Sequence, residues 1–71
     1  MTAHVHKIVE LVGSSSNSIE EAVQIAIERA SSTVRNLRWF EVTQIRGCIE
    51  NDSISRYQVI LKAGFALEEG D

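Results

Sequence analysis

The sequence of 71 residues has no proline, one cysteine and few aromatic residues, namely one Trp, one Tyr and two Phe. The single cysteine, Cys48, excludes an internal disulfide, and no group of Cys and His residues has the spacing of a zinc site. The chain also lacks an excess of positive charge, since seven Lys and Arg stand against ten Asp and Glu for a net charge of −3. Because nucleic-acid binding requires a basic surface that neutralises phosphates, we expect no nucleic-acid partner.

Long apolar runs are absent as well. No stretch approaches the roughly 20 apolar residues that a membrane-spanning helix needs, and the first residues do not have the pattern of a signal peptide. A free cysteine without an export signal is typical of a reducing compartment. We therefore expect a cytoplasmic protein without membrane contact.

The length allows one small domain, residues 1–71. A chain of this size buries only roughly 60% of the surface that its unfolded state exposes. Small domains gain further stability from disulfides, from a structural metal or from oligomerisation. Because the composition argues against the first two, we expect the protein to form an oligomer.

The pattern of apolar residues predicts one helix and three strands. The predicted elements are a strand over residues 4–12, a polar turn over 13–17, a helix from 19 to about 36, and strands over 38–50 and 55–68 joined by a turn at 51–53. Ser18 and Glu21 have the spacing of a capping box at the start of the helix. Ala22, Ala26 and Ala30 lie on one helical face and allow close packing on a sheet.

The order strand, helix, strand, strand predicts an α+β fold with one helix packed on a three-stranded antiparallel sheet. The last strand alternates cleanly, so that its apolar set beginning with Tyr57, Val59 and Leu61 should face the helix. The two long strands should form a hairpin, with the first strand beside the third.

The second strand does not alternate cleanly. Strict alternation places Phe40 and Val42 on one face with Arg46, and Trp39 on the other face, so that either choice leaves apolar side chains on the wrong side. A sheet longer than its helix, or a bulge near Gly47, would account for this pattern. In both cases the uncovered apolar surface indicates an interface or a ligand groove.

Three further side chains are candidates for chemistry. His4 and His6 share a face of the predicted first strand, but no third metal ligand accompanies them, and we interpret them as a solvated pair near a frayed terminus. Cys48 has no histidine nearby in sequence, and we interpret it as a buried, inert thiol. The residues therefore indicate no catalytic group and no metal site.

Trp39 allows two interpretations. A single Trp in so small a domain can fill the core, as it more often does, or can serve as a flat platform on which a planar ligand stacks.

Several segments together resemble the bacterial dodecins. They are Val9-Glu10-Leu11-Val12-Gly13-Ser14-Ser15, Trp39-Phe40-Glu41-Val42 followed by Arg46-Gly47, Tyr57-Gln58-Val59, and the ending Gly64-Phe65-Ala66-Leu67-Glu68-Glu69. They span nearly the whole chain, and their combination at these spacings is specific, whereas each one alone is weak.

The resemblance implies a β-α-β-β subunit that assembles into a hollow, spherical homododecamer. It implies that flavins bind in pairs between subunits, with Trp39 stacked on the isoalloxazine and Gln58 hydrogen-bonded to its polar edge. It also implies FMN as the preferred flavin, with riboflavin or coenzyme A as further ligands. The family is regarded as a flavin store and buffer, not as enzymes, and a stacked Trp would quench the excited flavin and protect against light damage.

Two positions qualify this resemblance. Arg46 matches a family arginine near the binding groove and could meet the FMN phosphate, or it could pair with an acid of a neighbouring subunit. Ala66 stands where bacterial members commonly have arginine, which puts coenzyme A binding and the preference for FMN over riboflavin in doubt. The alternatives to flavin storage are a structural shell or interaction module in which Trp39 plugs a subunit interface, and a flavoenzyme, for which no acid, base or thiol group is convincing.

Overall fold

A computed structural model describes residues 4–67. Its elements are β1 (His6–Ser15), α1 (Ile19–Ser31), β2 (Leu37–Glu50) and β3 (Ser53–Ala66). The three strands form one antiparallel sheet in the order β1-β3-β2. The predicted β-α-β-β order is confirmed, and so is the placement of the first strand beside the third.

The core lies between α1 and one face of the sheet. Its buried residues are Ala22, Ala26 and Ala30 of the helix and Val59, Leu61 and Ala63 of β3. Three alanines on one helical face let the helix axis lie close to the sheet, and the longer side chains of Ile19, Val23 and Ile27 pack against this core. The predicted inward faces of the helix and of the last strand are therefore confirmed.

Strand β1 is longer than predicted at its carboxyl end. The interpretation of Gly13 as the end of the strand is wrong, because Gly13 pairs with Val59 and the strand continues to Ser15. A Cβ at Gly13 would overlap the carbonyl oxygen of Ala22 and lie 3.1 Å from the Cβ of Ala26. Gly13 is thus the place where helix and sheet touch, and not a strand breaker.

The start of α1 agrees with half of the predicted capping box. The hydroxyl of Ser18 accepts a hydrogen bond from the Glu21 N–H at 2.9 Å. The Glu21 carboxylate does not return to the Ser18 N–H. It accepts instead from Ser15 Oγ at 3.1 Å and from Asn17 Nδ2 at 2.6 Å, while the Ser18 N–H donates to Ser15 Oγ.

Helix α1 ends at Ser31, about five residues before the predicted end. The hydroxyls of Ser31 and Ser32 donate to the carbonyls of Glu28 and Arg29 at 2.8 and 2.7 Å. Such local bonds compete with continuation of the helix. Asn36, the predicted stop, has a φ of 67° and turns the chain into β2 instead.

The irregular pattern of β2 has a structural cause at Thr43. Val42 pairs with Leu61 and Gln44 with Ile60, so Thr43 is an extra residue, and its hydroxyl donates to the Ile60 carbonyl at 3.0 Å. A bulge of this kind exchanges the two faces of the strand beyond it. Gly47 itself pairs regularly with Tyr57, and a register shift near it, of the kind considered from the sequence, lies one residue further on, between Cys48 and Ile49.

The hairpin between β2 and β3 turns at Asn51 and Asp52, which have φ values of 53° and 63°. Two consecutive residues with positive φ match the twist of a two-residue hairpin, and Asn and Asp tolerate that conformation. The predicted turn is confirmed, except that Ser53 already belongs to β3.

Helix α1 is too short and too polar to cross a bilayer, and the same holds for any helical segment within residues 4–67.

Candidate functional site

The sheet has one face turned away from α1, which we call the open face. Because directly paired residues share a face, the register assigns its members. They are His6, Ile8, Glu10, Val12 and Ser14 of β1, Arg56, Gln58, Ile60, Lys62, Gly64 and Ala66 of β3, and Trp39, Glu41, Gln44, Arg46 and Cys48 of β2. Trp39, Arg46 and Gln58 therefore lie on the same face, which strict alternation along β2 would not allow.

Trp39 lies at one end of the open face and is not part of the core. Its indole rests on Gly64, where an added Cβ would overlap the benzene part of the ring. The His6 ring meets the indole edge to face, with centroids 5.0 Å apart and an angle of 65° between the planes. The side chain remains 45% exposed, so a flat apolar surface with fixed support faces away from the helix.

Gln58 and Arg46 form a hydrogen-bonded pair on the same face. Arg46 Nε donates to Gln58 Oε1 at 2.7 Å, and Gln58 Nε2 donates to Ser14 Oγ at 3.3 Å. An amide has two N–H donors and two acceptor lone pairs. With one of each engaged, Gln58 keeps one donor and one acceptor for a ligand, and its orientation is held from both sides.

The structure does not bring Trp39 close to Gln58 within one subunit. Trp39 pairs with Gly64, and Arg46 pairs with Gln58. Six residues of strand separate the two rows, which corresponds to about 20 Å at the usual rise per residue. A single ring system cannot stack on the indole and meet the amide of the same chain.

Between these two rows lies a third row of charged residues. Lys62 pairs with Glu10 on one side and with Glu41 on the other. All three are exposed. This row therefore carries one positive and two negative charges. The next row toward Gln58 contains Val12 and Ile60 with Gln44 on β2, so apolar surface on the open face also occurs away from Trp39.

Two interpretations made from the sequence require correction. Cys48 is exposed on the open face and not buried. The bulge at Thr43 exchanges the faces of the residues beyond it, so that Gln44, Arg46 and Cys48 point away from the helix. His6 is not part of a frayed end, since it belongs to β1 and contacts Trp39. Residues 4–67 contain no cluster of three His, Cys, Asp or Glu side chains able to hold a metal ion.

The helix side of the β2–β3 hairpin carries a second apolar surface, which we call the hairpin pocket. It has a volume of about 320 Å³ and is lined by Ile19, Ile45, Arg46, Gly47, Cys48, Ile49, Ile54 and Tyr57. Ile45, Ile49 and Ile54 are 60%, 74% and 59% exposed, because the hairpin extends beyond the end of α1. The expected overhang of sheet beyond helix is therefore present.

Sequence reasoning missed three residues of the open-face arrangement. Ser14 supports Gln58, His6 contacts Trp39, and Gly64 supports the indole. Each relation depends on the pairing of β3 with its two neighbours. Nothing within β1 or β3 alone marks these residues as partners of Trp39 or Gln58.

One helix on an antiparallel sheet, with an exposed indole and an amide held by hydrogen bonds on the uncovered face, defines a small α+β protein with a candidate ligand-binding surface. The dodecin family model matches residues 5–68. The dodecin of Thermus thermophilus is 52% identical over 65 residues, which are 92% of this chain and 94% of that protein. The dodecin structure from Streptomyces coelicolor has a TM-score of 0.90 at 48% identity and covers 99% of this chain and 100% of its own.

The chain belongs to the dodecin family, whose members are oligomeric and bind small ligands. A more distant structure, the calcium dodecin of Mycobacterium tuberculosis, is described as a calcium-chelating antigen with a novel calcium-binding site. It has a TM-score of 0.78 at 24% identity and covers 94% of this chain and 96% of its own. At 24% identity, this comparison shows only that the two proteins have the same fold.

Proposed function

We propose that this protein stores and buffers a flavin, FMN or riboflavin, which it binds between subunits of a homododecamer without catalysing a reaction. The observation that carries the proposal is the half-exposed indole of Trp39, supported on one side by Gly64 and left uncovered by its own subunit. The family relationship supports the same function.

The platform suits a planar ligand. Stacking of aromatic rings contributes about 0.5–1.5 kcal/mol beyond the burial of area. The indole already lies directly on Gly64 and cannot come closer to the sheet, and the His6 ring contacts it as well. A platform that is already fixed loses little conformational entropy when the ligand binds.

The polar edge of the ligand is recognised by a second subunit in this proposal. Gln58 retains one donor and one acceptor, which suits neighbouring C=O and N–H groups of an isoalloxazine. Because Gln58 lies about 20 Å from Trp39 along the strand, the amide that meets a given ring comes from a neighbouring chain. One site therefore requires at least two copies of this protein.

Arg46 is the remaining proposed site residue. In the single subunit it holds Gln58 through its Nε. Its terminal guanidinium nitrogens are the groups that suit a phosphate or a neighbouring acid, so the two roles expected from the sequence are compatible with this contact. In the proposed site Arg46 positions the amide and adds positive charge beside the ligand edge.

The proposed site does not determine whether the bound flavin carries a phosphate. Ala66 pairs with His6 two residues beyond Gly64 and offers no charge to a phosphate. Binding through Trp39 and Gln58 does not require a phosphate, so both FMN and riboflavin are proposed ligands. Coenzyme A, whose recognition depends on its phosphates, is the weakest of the proposed ligands.

Fluorescence titration tests the proposal. Wild-type protein should quench FMN emission on binding, because an indole in contact with the ring donates an electron to the excited flavin. Return of that electron restores the ground state of both groups without emission, and such quenching would also limit light damage. Trp39→Ala should weaken binding by roughly fivefold or more, from the loss of about 1 kcal/mol or more of stacking. Normal affinity in a Trp39→Ala protein of unchanged assembly size would end the proposal.

Phe40→Ala provides a matched control. Phe40 is the neighbouring aromatic residue and is 50% exposed, but it pairs with Ala63 on the helix side. The variant should keep FMN quenching as long as its assembly size is unchanged. Size-exclusion chromatography with light scattering measures the subunit number of all three proteins, for which we expect twelve.

A structural shell or interaction module without flavin is the second candidate. The hairpin pocket supports the assembly that this candidate requires, because Ile45, Ile49 and Ile54 are exposed apolar side chains that a partner can bury whether or not a ligand binds. In this case Trp39→Ala would break the assembly, and purified wild-type protein would neither contain a flavin nor bind one. The same titration and size measurement therefore separate the two functions.

A further inference from the structure

We propose that His6 determines ligand specificity at the Trp39 platform, and that its imidazole, when protonated, favours a ligand carrying a phosphate over the same ligand without one. The inference rests on the proposed flavin function. It names the residue that makes the choice between FMN and riboflavin depend on pH.

Position is the first support. The His6 ring lies 5.0 Å from the Trp39 ring, centroid to centroid. A planar ligand that stacks on the indole would therefore lie within reach of the imidazole. Among the described residues, His6 is the ring shown in contact with the platform, and it is exposed on the open face.

The charges around His6 are the second support. On β1 the same face carries Glu10, four residues further along, and on β3 it carries Lys62. On β2 it carries Glu41, while Arg38 lies at a register shift and donates to its own neighbour, the Leu37 carbonyl. His4 precedes β1 and is exposed.

Among these groups, His6 is the side chain beside the Trp39 platform whose charge can change with protonation. Lys62 is flanked by two carboxylates, so the row across the centre of the sheet brings no positive charge to the Trp39 end. The position directly paired with His6 is Ala66, which has no charge at all. Histidine is the side chain that ordinarily changes charge between about pH 5 and 8.

The sign of the effect follows from the ligand charges. A phosphate monoester carries nearly two negative charges above its second pKa of about 6, whereas the ribityl chain of riboflavin is neutral. Between about pH 8 and about pH 6.5 a phosphate keeps most of its charge, so a proton gained by an imidazole beside it adds attraction to FMN and none to riboflavin. The affinity for FMN relative to riboflavin should rise over this interval.

The test is a pair of titrations of the intact assembly with FMN and with riboflavin, each at about pH 8 and about pH 6.5. We expect the ratio of the two affinities to increase by about twofold to fivefold on acidification, as for an exposed ion pair. Riboflavin measures any change of the Trp39 platform itself, and the ratio removes that contribution.

Substitutions at position 6 identify the group. His6→Phe keeps an aromatic ring against the indole without a charge and should remove the dependence of the affinity ratio on pH, while riboflavin binding is retained. His6→Lys should give a high ratio at both pH values. His4→Phe is the matched control, because it removes a histidine outside the strand and should leave the wild-type behaviour unchanged.

Each outcome decides the inference. A ratio that does not change with pH in the wild type overturns it, and so does a change that persists in His6→Phe, since another group or the phosphate itself would then be responsible. If neither FMN nor riboflavin binds at either pH, the proposed function fails. If both bind with a constant ratio, only the role of His6 fails.

Discussion

A methyl group added at position 64 would test whether the bare backbone beneath Trp39 sets the position of the indole. In Gly64→Ala the new Cβ would lie 2.5 Å from Cε2 and from Cη2 of the indole. Carbon atoms in contact are normally about 3.5–4.0 Å apart. Because β3 is held by strands on both sides, the ring and not the backbone must move, by about 1 Å or more.

The fold should tolerate this change. Gly64 does not have a positive φ, so alanine fits the backbone, and such a replacement stabilises a protein by about 0.4–1 kcal/mol through the unfolded state. The displaced indole is already 45% exposed and loses few buried contacts. We expect the free energy of unfolding to change by no more than about 1 kcal/mol.

Flavin binding, in contrast, should suffer. A ring shifted by about 1 Å no longer presents the same plane to its ligand, and loss of most of a stacking contribution of about 1 kcal/mol or more weakens binding roughly fivefold or more. Fluorescence titration with FMN measures the affinity, and thermal unfolding confirms the fold. Wild-type affinity in a folded Gly64→Ala protein would refute the view that this glycine positions the platform.

A double-mutant cycle sharpens the test. Trp39→Phe leaves a smaller ring over position 64, so the added methyl group should cost less affinity in that background. Residues in direct contact give such non-additive effects, commonly of about 0.5–3 kcal/mol. Strict additivity would indicate that the two positions do not interact.

Three further predictions concern the support of helix and site. Gly13→Ala should lower the free energy of unfolding by about 2 kcal/mol or more, because the added Cβ meets the Ala22 carbonyl beneath α1. Ser18→Ala should lower the free energy of unfolding by about 1 kcal/mol, because it removes the hydroxyl that accepts from the Glu21 N–H. Denaturant unfolding measures both of these changes. Gln58→Leu should weaken flavin binding by about tenfold through loss of hydrogen bonds, without changing the fold, as measured by the FMN titration.

Each of these three predictions has its own control. An unchanged midpoint for Gly13→Ala would show that the helix can shift away from the sheet without cost. Ser16→Ala, in the exposed bend before the helix, should leave stability unchanged, and an equal loss in both serine variants would argue against the cap. Gln44→Leu removes an amide from the same face, and equal weakening by both glutamine variants would contradict a specific role for Gln58.

Much of the fold was predictable because its signals are local. The alternation of β3 depends only on side-chain polarity, and the three alanines of α1 follow directly from a period of 3.6 residues. Both patterns describe how one element meets the core, and the structure confirms both. Ser18 likewise acts within a few residues of its own position.

The misplaced end of α1 has a local cause in the hydroxyls of Ser31 and Ser32, but two other errors arose where a residue serves a distant part of the chain. Gly13 has the composition of a strand breaker, yet its lack of a side chain serves the approach of α1. The extra residue at Thr43 satisfies its hydroxyl through Ile60, seventeen residues away. No local pattern marks that position as a bulge, and without it the faces of Arg46 and Cys48 are assigned wrongly.

The candidate site divides in the same way. The residue type of Trp39 left a core position and a stacking platform both open, and the family resemblance singled out Trp39 and Gln58 as ligand contacts. Their separation of about 20 Å within one subunit depends on the register of β2 with β3, which the sequence left open. Whether the two groups act on one ligand stays a prediction.

That separation links ligand binding to assembly in the proposed function. Each subunit would supply its indole to one site and its amide to another, so a ligand would bind only where two copies meet. A ligand that binds the assembled form alone stabilises it by mass action, by about 2.7 kcal/mol at a concentration of 100 times its Kd. Dissociation of the oligomer should therefore require higher denaturant when FMN is present, and Trp39→Ala should abolish this shift. The hairpin pocket, with its three exposed isoleucines, lies on the other face of the sheet and should keep the assembly together in that variant.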